Sequence, residues 1–211
     1  MFNVITVERE YGAGGSLVAA QLAKRLGWEL LDQKITHYIA QLAAVDKSVV
    51  ASRDERCDPL MHRLAKVFWR GSHERMLPVD DHRFFDTDYM VRLASKIIED
   101  AGAKGKCVIV GRGSPYILRD RHDRFAVFCY ASRDVKIDRL ISLKMPRAEA
   151  ENLVEVIDQE RATFIKRYFG KDWPCRELYN MMLNTDIGIE PAVDMILSAM
   201  KITADQQVVA R

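Results

Sequence analysis

The sequence predicts a three-layer α/β domain around a central parallel sheet of about five strands, and three observations carry that expectation. Short apolar and β-branched runs alternate with stretches of helical periodicity along most of the chain, the pattern of successive βαβ units. The runs Cys107-Val108-Ile109-Val110 and Phe125-Ala126-Val127-Phe128-Cys129-Tyr130 are almost continuously apolar, as strands covered on both faces are. The first such run breaks into a glycine-rich turn that opens directly into a helical pattern.

Taken in order, residues 2–8 form the first expected strand, which ends at Tyr11-Gly12-Ala13-Gly14-Gly15-Ser16. From Leu17 the apolar residues change to helical spacing, with Val18, Leu22 and Leu26 on one stripe and Gly27 at the expected C-cap. Residues 28–32 read as a short second strand and 33–45 as a helix carried by Ile35, Ile39 and Leu42. Between 46 and 88 the chain turns irregular and charged. There Leu60, Leu64, Val67, Phe68 and Trp69 suggest a helical insertion, with Phe68 and Trp69 read as core. An amphipathic helix follows over 85–99, a glycine-containing connection over 101–106, and strands over 107–110 and 125–130. Helices are expected over 133–143 and 147–168, a last strand at Met181-Met182-Leu183 and a last helix over 190–200. No internal repeat is visible, and the tail 201–211 reads as dispensable.

Composition narrows the function classes. Lysine and arginine number 32 against 30 acidic residues, a net charge of +2, so no chain-wide electrostatic case for a nucleic-acid polymer exists and any anion site must be local. The longest apolar runs are far short of the roughly 20 residues a bilayer requires. The start of the chain carries no secretory pattern, so a cytoplasmic location is expected, without a membrane partner. The four cysteines form no C-x-x-C pair, the five histidines no H-E-x-x-H motif, and no G-x-S-x-G elbow occurs; zinc-dependent and serine hydrolase readings lose support. A homodimer is left open.

The glycine-rich turn is the strongest chemical signal. Glycines let backbone N–H groups converge on an oxyanion, and the dipole of the following helix adds to the attraction. A plain strand-to-helix turn explains the same glycines. Against the Walker A pattern G-x-x-x-x-G-K-[ST], Ser16 takes the hydroxyl position that ligates Mg²⁺, Gly15 stands where the lysine belongs, and Arg9 where the first glycine belongs. Arg112 follows an apolar strand at the edge where open α/β sheets bind ligands, and a guanidinium there is suited to clamp an acceptor phosphate. Asp32, at the end of the second strand, fits either an acceptor- or Mg²⁺-orienting role or a helix N-cap.

The run Arg9-Glu10-Tyr11-Gly12-Ala13-Gly14-Gly15-Ser16 with Leu22-Ala23-Lys24-Arg25-Leu26-Gly27 resembles the opening of the cytidylate kinase-like family, a lysine-lacking branch of the nucleoside monophosphate kinases. The resemblance continues at Val108-Ile109-Val110-Gly111-Arg112-Gly113, at Arg161 through Tyr168-Phe169-Gly170-Lys171-Asp172-Trp173, and at Leu183-Asn184-Thr185-Asp186. It implies a P-loop NTPase fold in one domain over 1–200. The core would comprise 1–45, 89–143 and 180–200, with an acceptor-binding insertion at 46–88 and a helical lid over 144–179. Arg161 and Arg167 are implied as lid arginines that stabilise transferring charge, while Lys166 reads as solvated. Arg9, Tyr11, Gly12, Ala13, Gly14, Gly15 and Ser16 are implied around the phosphates of ATP with Mg²⁺, and Asn184 and Asp186 near its base, although a turn and helix cap accounts for the latter pair equally. Arg133, Arg139 and Lys144 fit either donor contacts or salt bridges with Asp134 and Asp138. Where cytidylate kinases carry Gly-Arg-Asp, this chain reads Gly111-Arg112-Gly113. The expected activity is ATP-dependent phosphoryl transfer to a small acceptor, a nucleoside monophosphate such as CMP. The alternatives are a nucleotide sensor with weak transfer and a kinase of a non-nucleotide small molecule.

Overall fold

A computed structural model describes residues 1–32, 35, 38 and 87–209, with Thr87 and 202–209 by backbone alone. Five strands form the sheet: β1 (Val4–Arg9), β2 (Glu29–Leu31), β3 (Cys107–Val110), β4 (Arg124–Tyr130) and β5 (Met181–Asn184). They lie in the order β2-β3-β1-β4-β5, and every pairing is parallel. β1 is central because its six residues are buried throughout. Its register sets Val4 against Cys107 on one side and Arg124 on the other. β2 and β3 build the sheet to one side of β1, and β4 and β5 to the other. That places a topological switch point at the carboxyl end of β1, where open sheets bind ligands.

Helices cover both faces. Ile5 and Val7 meet Val18, Leu22 and Ala23 of α1 (Gly15–Leu26) together with Val193, Ile196 and Met200 of α6 (Ile189–Val209). On the opposite face Val4 and Ile109 meet Met90, Ala94 and Ile98 of α2 (Thr87–Lys104), Tyr116 of α3 (Ser114–Ile117), and Phe164 and Ile165 of α5 (Arg147–Phe169). The first half of α5 packs instead on α4 (Arg133–Ser142), through Leu153, Val154 and Ile157 against Ile137 and Leu140. The three-layer α/β expectation therefore holds.

Some boundaries differ from the sequence reading. α1 begins at Gly15, because Leu17 and Val18 already donate to the Gly14 carbonyl at 3.0 and 3.1 Å. α2 runs through Lys104 and absorbs the start of the expected connection. Gly102 sits inside it because a Cβ there would lie 3.1 Å from Leu118, so helix and loop pack closely at that point. α3 was not foreseen. α6 continues to Val209, so the segment read as a tail is helical as far as that residue. Most of the expected 33–45 helix and of the 46–88 insertion, Phe68 and Trp69 included, lies outside the described residues. No helix among the described residues is long and apolar enough to cross a membrane.

Candidate active site

The glycine-rich turn is held by main-chain bonds and close packing. Glu10 N–H still bonds the Cys129 carbonyl of β4 at 3.0 Å, and Ala13 N–H closes a turn onto the Glu10 carbonyl at 3.2 Å. Gly12 and Gly14 have φ of 77° and 73°, the left-handed region that glycine enters without steric cost. At Gly12 a Cβ would also stand 3.0 Å from both Cβ and carbonyl oxygen of Lys136. From below, the buried Thr185 hydroxyl donates to the Ala13 carbonyl at 2.7 Å, and Arg139 Nη1 donates to that hydroxyl at 2.9 Å. Tyr11, Ala13 and the three glycines are buried, with half-buried Ser16 in the first turn of α1. Main-chain bonds, Thr185 and Lys136 thus hold the loop in this conformation.

Arg9 fills the space beside Gly15, where the Walker pattern has its lysine. The side chain is 6% exposed and runs alongside Gly15, where a Cβ would stand 2.6 Å from Arg9 Cβ and 2.9 Å from Cγ. Its guanidinium ends against Gly111, where a Cβ would collide with Nη1. Arg112 follows, buried and with φ of 55°, its Nη1 donating to the Asp32 carbonyl. Burial pulls its guanidinium down to about 10; the Asp32 carboxylate opposes that shift and Arg9 reinforces it. Arg112 therefore stays charged at neutral pH. Asp32 Oδ1 is buried and has no hydrogen-bond partner among the described residues. Residues 33 and 34, which would follow an Asp32 N-cap, lie outside the described residues.

From the other side α5 passes the end of β1. Arg161 Nη1 donates to the Arg9 carbonyl at 2.7 Å and to Asp158 Oδ1 at 3.2 Å, with the guanidinium 5.9 Å from the Tyr11 ring centroid. Asp158 in turn accepts from Tyr11 N–H at 2.8 Å, and Lys136 Nζ lies 3.0 Å from Glu10 Oε2 and 3.7 Å from Asp158 Oδ2. Burial raises the Asp158 carboxyl; Arg161 is the foremost of the groups that oppose it. The network fastens α4 and α5 to the loop. Three guanidiniums, from Arg9, Arg112 and Arg161, are held around the carboxyl end of β1 by independent elements. Fixed cations grouped in this way are suited to an anionic group such as a phosphoryl.

Comparison with known proteins bears on the family and the fold. A family model described as the cytidylate kinase-like family matches residues 4–187. The chain belongs to the cytidylate kinase-like family. A cytidylate kinase of Methylococcus capsulatus is 28% identical over 150 residues, covering 64% of this chain and 68% of that protein. A cytidylate kinase of Shewanella oneidensis is 32% identical over 71 residues, which span 34% of this chain and only 31% of that relative's length. Among solved structures, a protein of Eubacterium ventriosum superposes with a TM-score of 0.66 at 19% identity, covering 95% of this chain and 99% of that one. Shikimate kinase from Bacteroides thetaiotaomicron gives 0.53 at 15% identity, covering 94% and 98%. At such identities the likeness concerns the fold, which is that of the P-loop kinases.

Within this cytidylate kinase-like chain the remaining candidates separate. Arg167 is exposed, its guanidinium 5.7 Å over the Tyr168 ring, so the structure does not bring it to Arg161. Lys166 pairs with exposed Asp172 at 2.8 Å, and Arg133 with Glu155 at 3.3 Å. Asn184 Oδ1 accepts from Asp186 N–H at 2.9 Å, and Asp186 accepts from Ser132 N–H at 3.0 Å. Both side chains thus hold turns around the base of α4. Sequence reasoning missed Glu8, Lys136, Asp158 and Thr185 as site residues. Asp158 had a legible signal in its i,i+3 spacing to Arg161; Thr185 lay inside a quoted motif, whereas Glu8 and Lys136 carried none.

Gly113, at the position where cytidylate kinases carry aspartate, has φ of 70°, and a Cβ there would collide with the Phe169 ring. That ring stacks on Tyr116 at 5.1 Å. Gly113→Asp is expected to lower the melting temperature by about 5 °C or more, since overpacking costs about 1–3 kcal/mol before backbone strain is added. Combining it with Phe169→Ala should recover part of the loss relative to Phe169→Ala alone. Thermal melts of the four proteins check this, and an unshifted melt for the single variant would refute it.

Proposed function

We propose that this chain is an ATP- and Mg²⁺-dependent phosphotransferase acting on a small acceptor, a nucleoside monophosphate such as CMP. The observation that carries the reading is the path of Arg9: it occupies the space a lysine at position 15 would need and ends against Gly111, the neighbour of Arg112, while its carbonyl accepts from Arg161. The residues fit the group they would hold. Gly12–Gly15 form a backbone cradle at a helix N-terminus, and Ser16 offers a first-turn hydroxyl for Mg²⁺, which when bound would neutralise charge on the donor phosphates. Arg9 would replace the missing lysine at the donor phosphates. Arg112 and Asp32 would position the acceptor phosphate and hydroxyl, and Arg161 would meet the group in transfer. In this scheme α5 serves as the lid and residues 46–88 as the acceptor-binding insertion.

A non-nucleotide acceptor is the second reading. It is favoured by Gly113, because Phe169 fills the space that the aspartate of Gly-Arg-Asp would require.

The test is ADP release from Mg²⁺-ATP with CMP, dCMP, UMP, AMP, GMP and small polyols as acceptors, with Arg161→Ala beside the parent. Release stimulated by one acceptor and lost in the variant would support the reading and name the substrate. Binding of ATP without stimulation by any acceptor would overturn transfer and favour a nucleotide sensor.

A further inference from the structure

Both hydrogens of one Arg161 nitrogen are already committed. Nη1 donates to the Arg9 carbonyl at 2.7 Å and to Asp158 Oδ1 at 3.2 Å, and a terminal guanidinium nitrogen has no third hydrogen to give. Among the described residues, Nε and Nη2 make no hydrogen bond. Those two nitrogens form the side edge of the guanidinium, a planar fork that takes an oxyanion by two parallel bonds. Arg161 is thus held by one corner, with the fork left open.

Asp158 fixes that corner. It stands three residues before Arg161 on α5, a spacing that puts both on one face of the helix. Its Oδ1 accepts from Tyr11 N–H at 2.8 Å as well as from Arg161, so a single oxygen joins the arginine to the glycine-rich turn. Oδ2 lies 3.7 Å from Lys136 Nζ, which is itself 3.0 Å from Glu10 Oε2. The Asp158 and Arg161 side chains are only 17% and 13% exposed, and a charge-assisted bond shielded from water holds its geometry better than one on the surface. Glu8, 3% exposed on β1, bonds Trp173 Nε1 at 3.4 Å instead, which leaves Asp158 as the carboxylate that directs Arg161.

We propose that Asp158 is a positioning residue for phosphoryl transfer: it holds Arg161 by Nη1 against the loop, so that the Nε–Nη2 edge meets the group in transfer already oriented. The proposal rests on the phosphotransferase reading above and adds to it the residue that registers Arg161 to the loop. No bond to the nucleotide falls to Asp158 itself. Because Asp158 acts through Arg161, its contribution to the reaction must vanish when Arg161 is absent. A brace for the fold would behave differently, since the bond from Tyr11 N–H and the ion pair with Lys136 persist whatever stands at position 161.

The test is a double-mutant cycle over the parent, Asp158→Ala, Arg161→Ala and the double variant, with Asp158→Asn as a fifth protein. ADP release at saturating Mg²⁺-ATP, with whichever acceptor of the panel above stimulates it, gives kcat, and calorimetry gives Mg²⁺-ATP affinity. In the parent background Asp158→Ala is expected to lower kcat by about 10–10²-fold, the cost of misplacing a reacting group by about 1 Å, with Mg²⁺-ATP affinity changed far less. On top of Arg161→Ala the same change should alter kcat by less than about twofold. Asp158→Asn keeps an acceptor oxygen without the charge and should fall between the parent and Asp158→Ala; it carries the cycle should Asp158→Ala fail to fold. Equal losses in the two backgrounds, or an Mg²⁺-ATP affinity that falls as far as kcat, would make Asp158 a brace and overturn the proposal while leaving the phosphotransferase reading standing. An Arg161→Ala protein as fast as the parent, or a parent that no acceptor stimulates, would overturn both.

Discussion

Restoring the lysine of the Walker pattern is expected to damage this protein. Gly15 lies in ordinary helical backbone at the start of α1, so conformation alone does not forbid a side chain there. The obstacle is Arg9, whose Cβ would stand 2.6 Å from a Cβ at position 15, a separation that forces the core around β1 to shift. Gly15→Lys should therefore cost about 1–3 kcal/mol in stability. It should also weaken Mg²⁺-ATP binding, because the clash displaces the cation proposed for the donor phosphates. Arg9→Ala alone removes that cation and should lower turnover by about 10²–10³-fold, the range for deleting one preorganised charge-stabilising donor.

The double variant Arg9→Ala with Gly15→Lys clears the collision and supplies an ammonium by the usual route. It is expected to be more active than either single variant. Such strong non-additivity is the signature of two residues competing for one space. Thermal melts, ATP titrations and ADP release on the four proteins check the prediction. A Gly15→Lys protein as stable as the parent and faster in transfer would remove Arg9 from the role assigned to it.

The contrast between Arg9 and the sheet indicates what a sequence can disclose here. β3 and β4 were legible because strands covered on both faces must be apolar almost without interruption, a constraint written into consecutive letters. The glycine turn was legible because two left-handed residues and a close contact with Lys136 leave few alternatives to glycine. Side-chain paths are another matter. That Arg9 runs along Gly15 toward Gly111, or that Asp158 takes the Tyr11 N–H from 147 positions away, depends on how α5 returns across the sheet. No local period encodes that return. Glu8 and Lys136 illustrate the sharper limit: a buried charge and a solvated one share the same letter, and only the surrounding packing tells them apart. The family resemblance implies Arg167 together with Arg161. The six-residue step from one to the other turns the helix far enough that the structure places Arg161 at the loop and Arg167 in solvent.

Arg112 should show the reverse balance, with a large loss of function and little change in stability. Its φ of 55° is a conformation that non-glycine residues hold at a cost of about 1–3 kcal/mol, and its buried guanidinium is desolvated enough to come down to about 10. Against those costs stands the bond from Nη1 to the Asp32 carbonyl, worth about 1.5–3 kcal/mol for a charged donor. Arg112→Gly releases the strain and forfeits the bond, so the melting temperature should stay within about 4 °C of the parent's. Acceptor-dependent turnover should nonetheless fall by about 10²–10³-fold, chiefly as a raised KM for the acceptor, with ATP affinity changed far less. Arg112→Lys keeps a charge without the planar fork and should fall between the two while retaining the strained backbone, which makes it the less stable of the variants. If Arg112→Gly left acceptor KM and kcat untouched, or weakened ATP as much as the acceptor, the strained turn would have a purely architectural role. The acceptor phosphate would then have to be sought nearer Arg9 and Arg161.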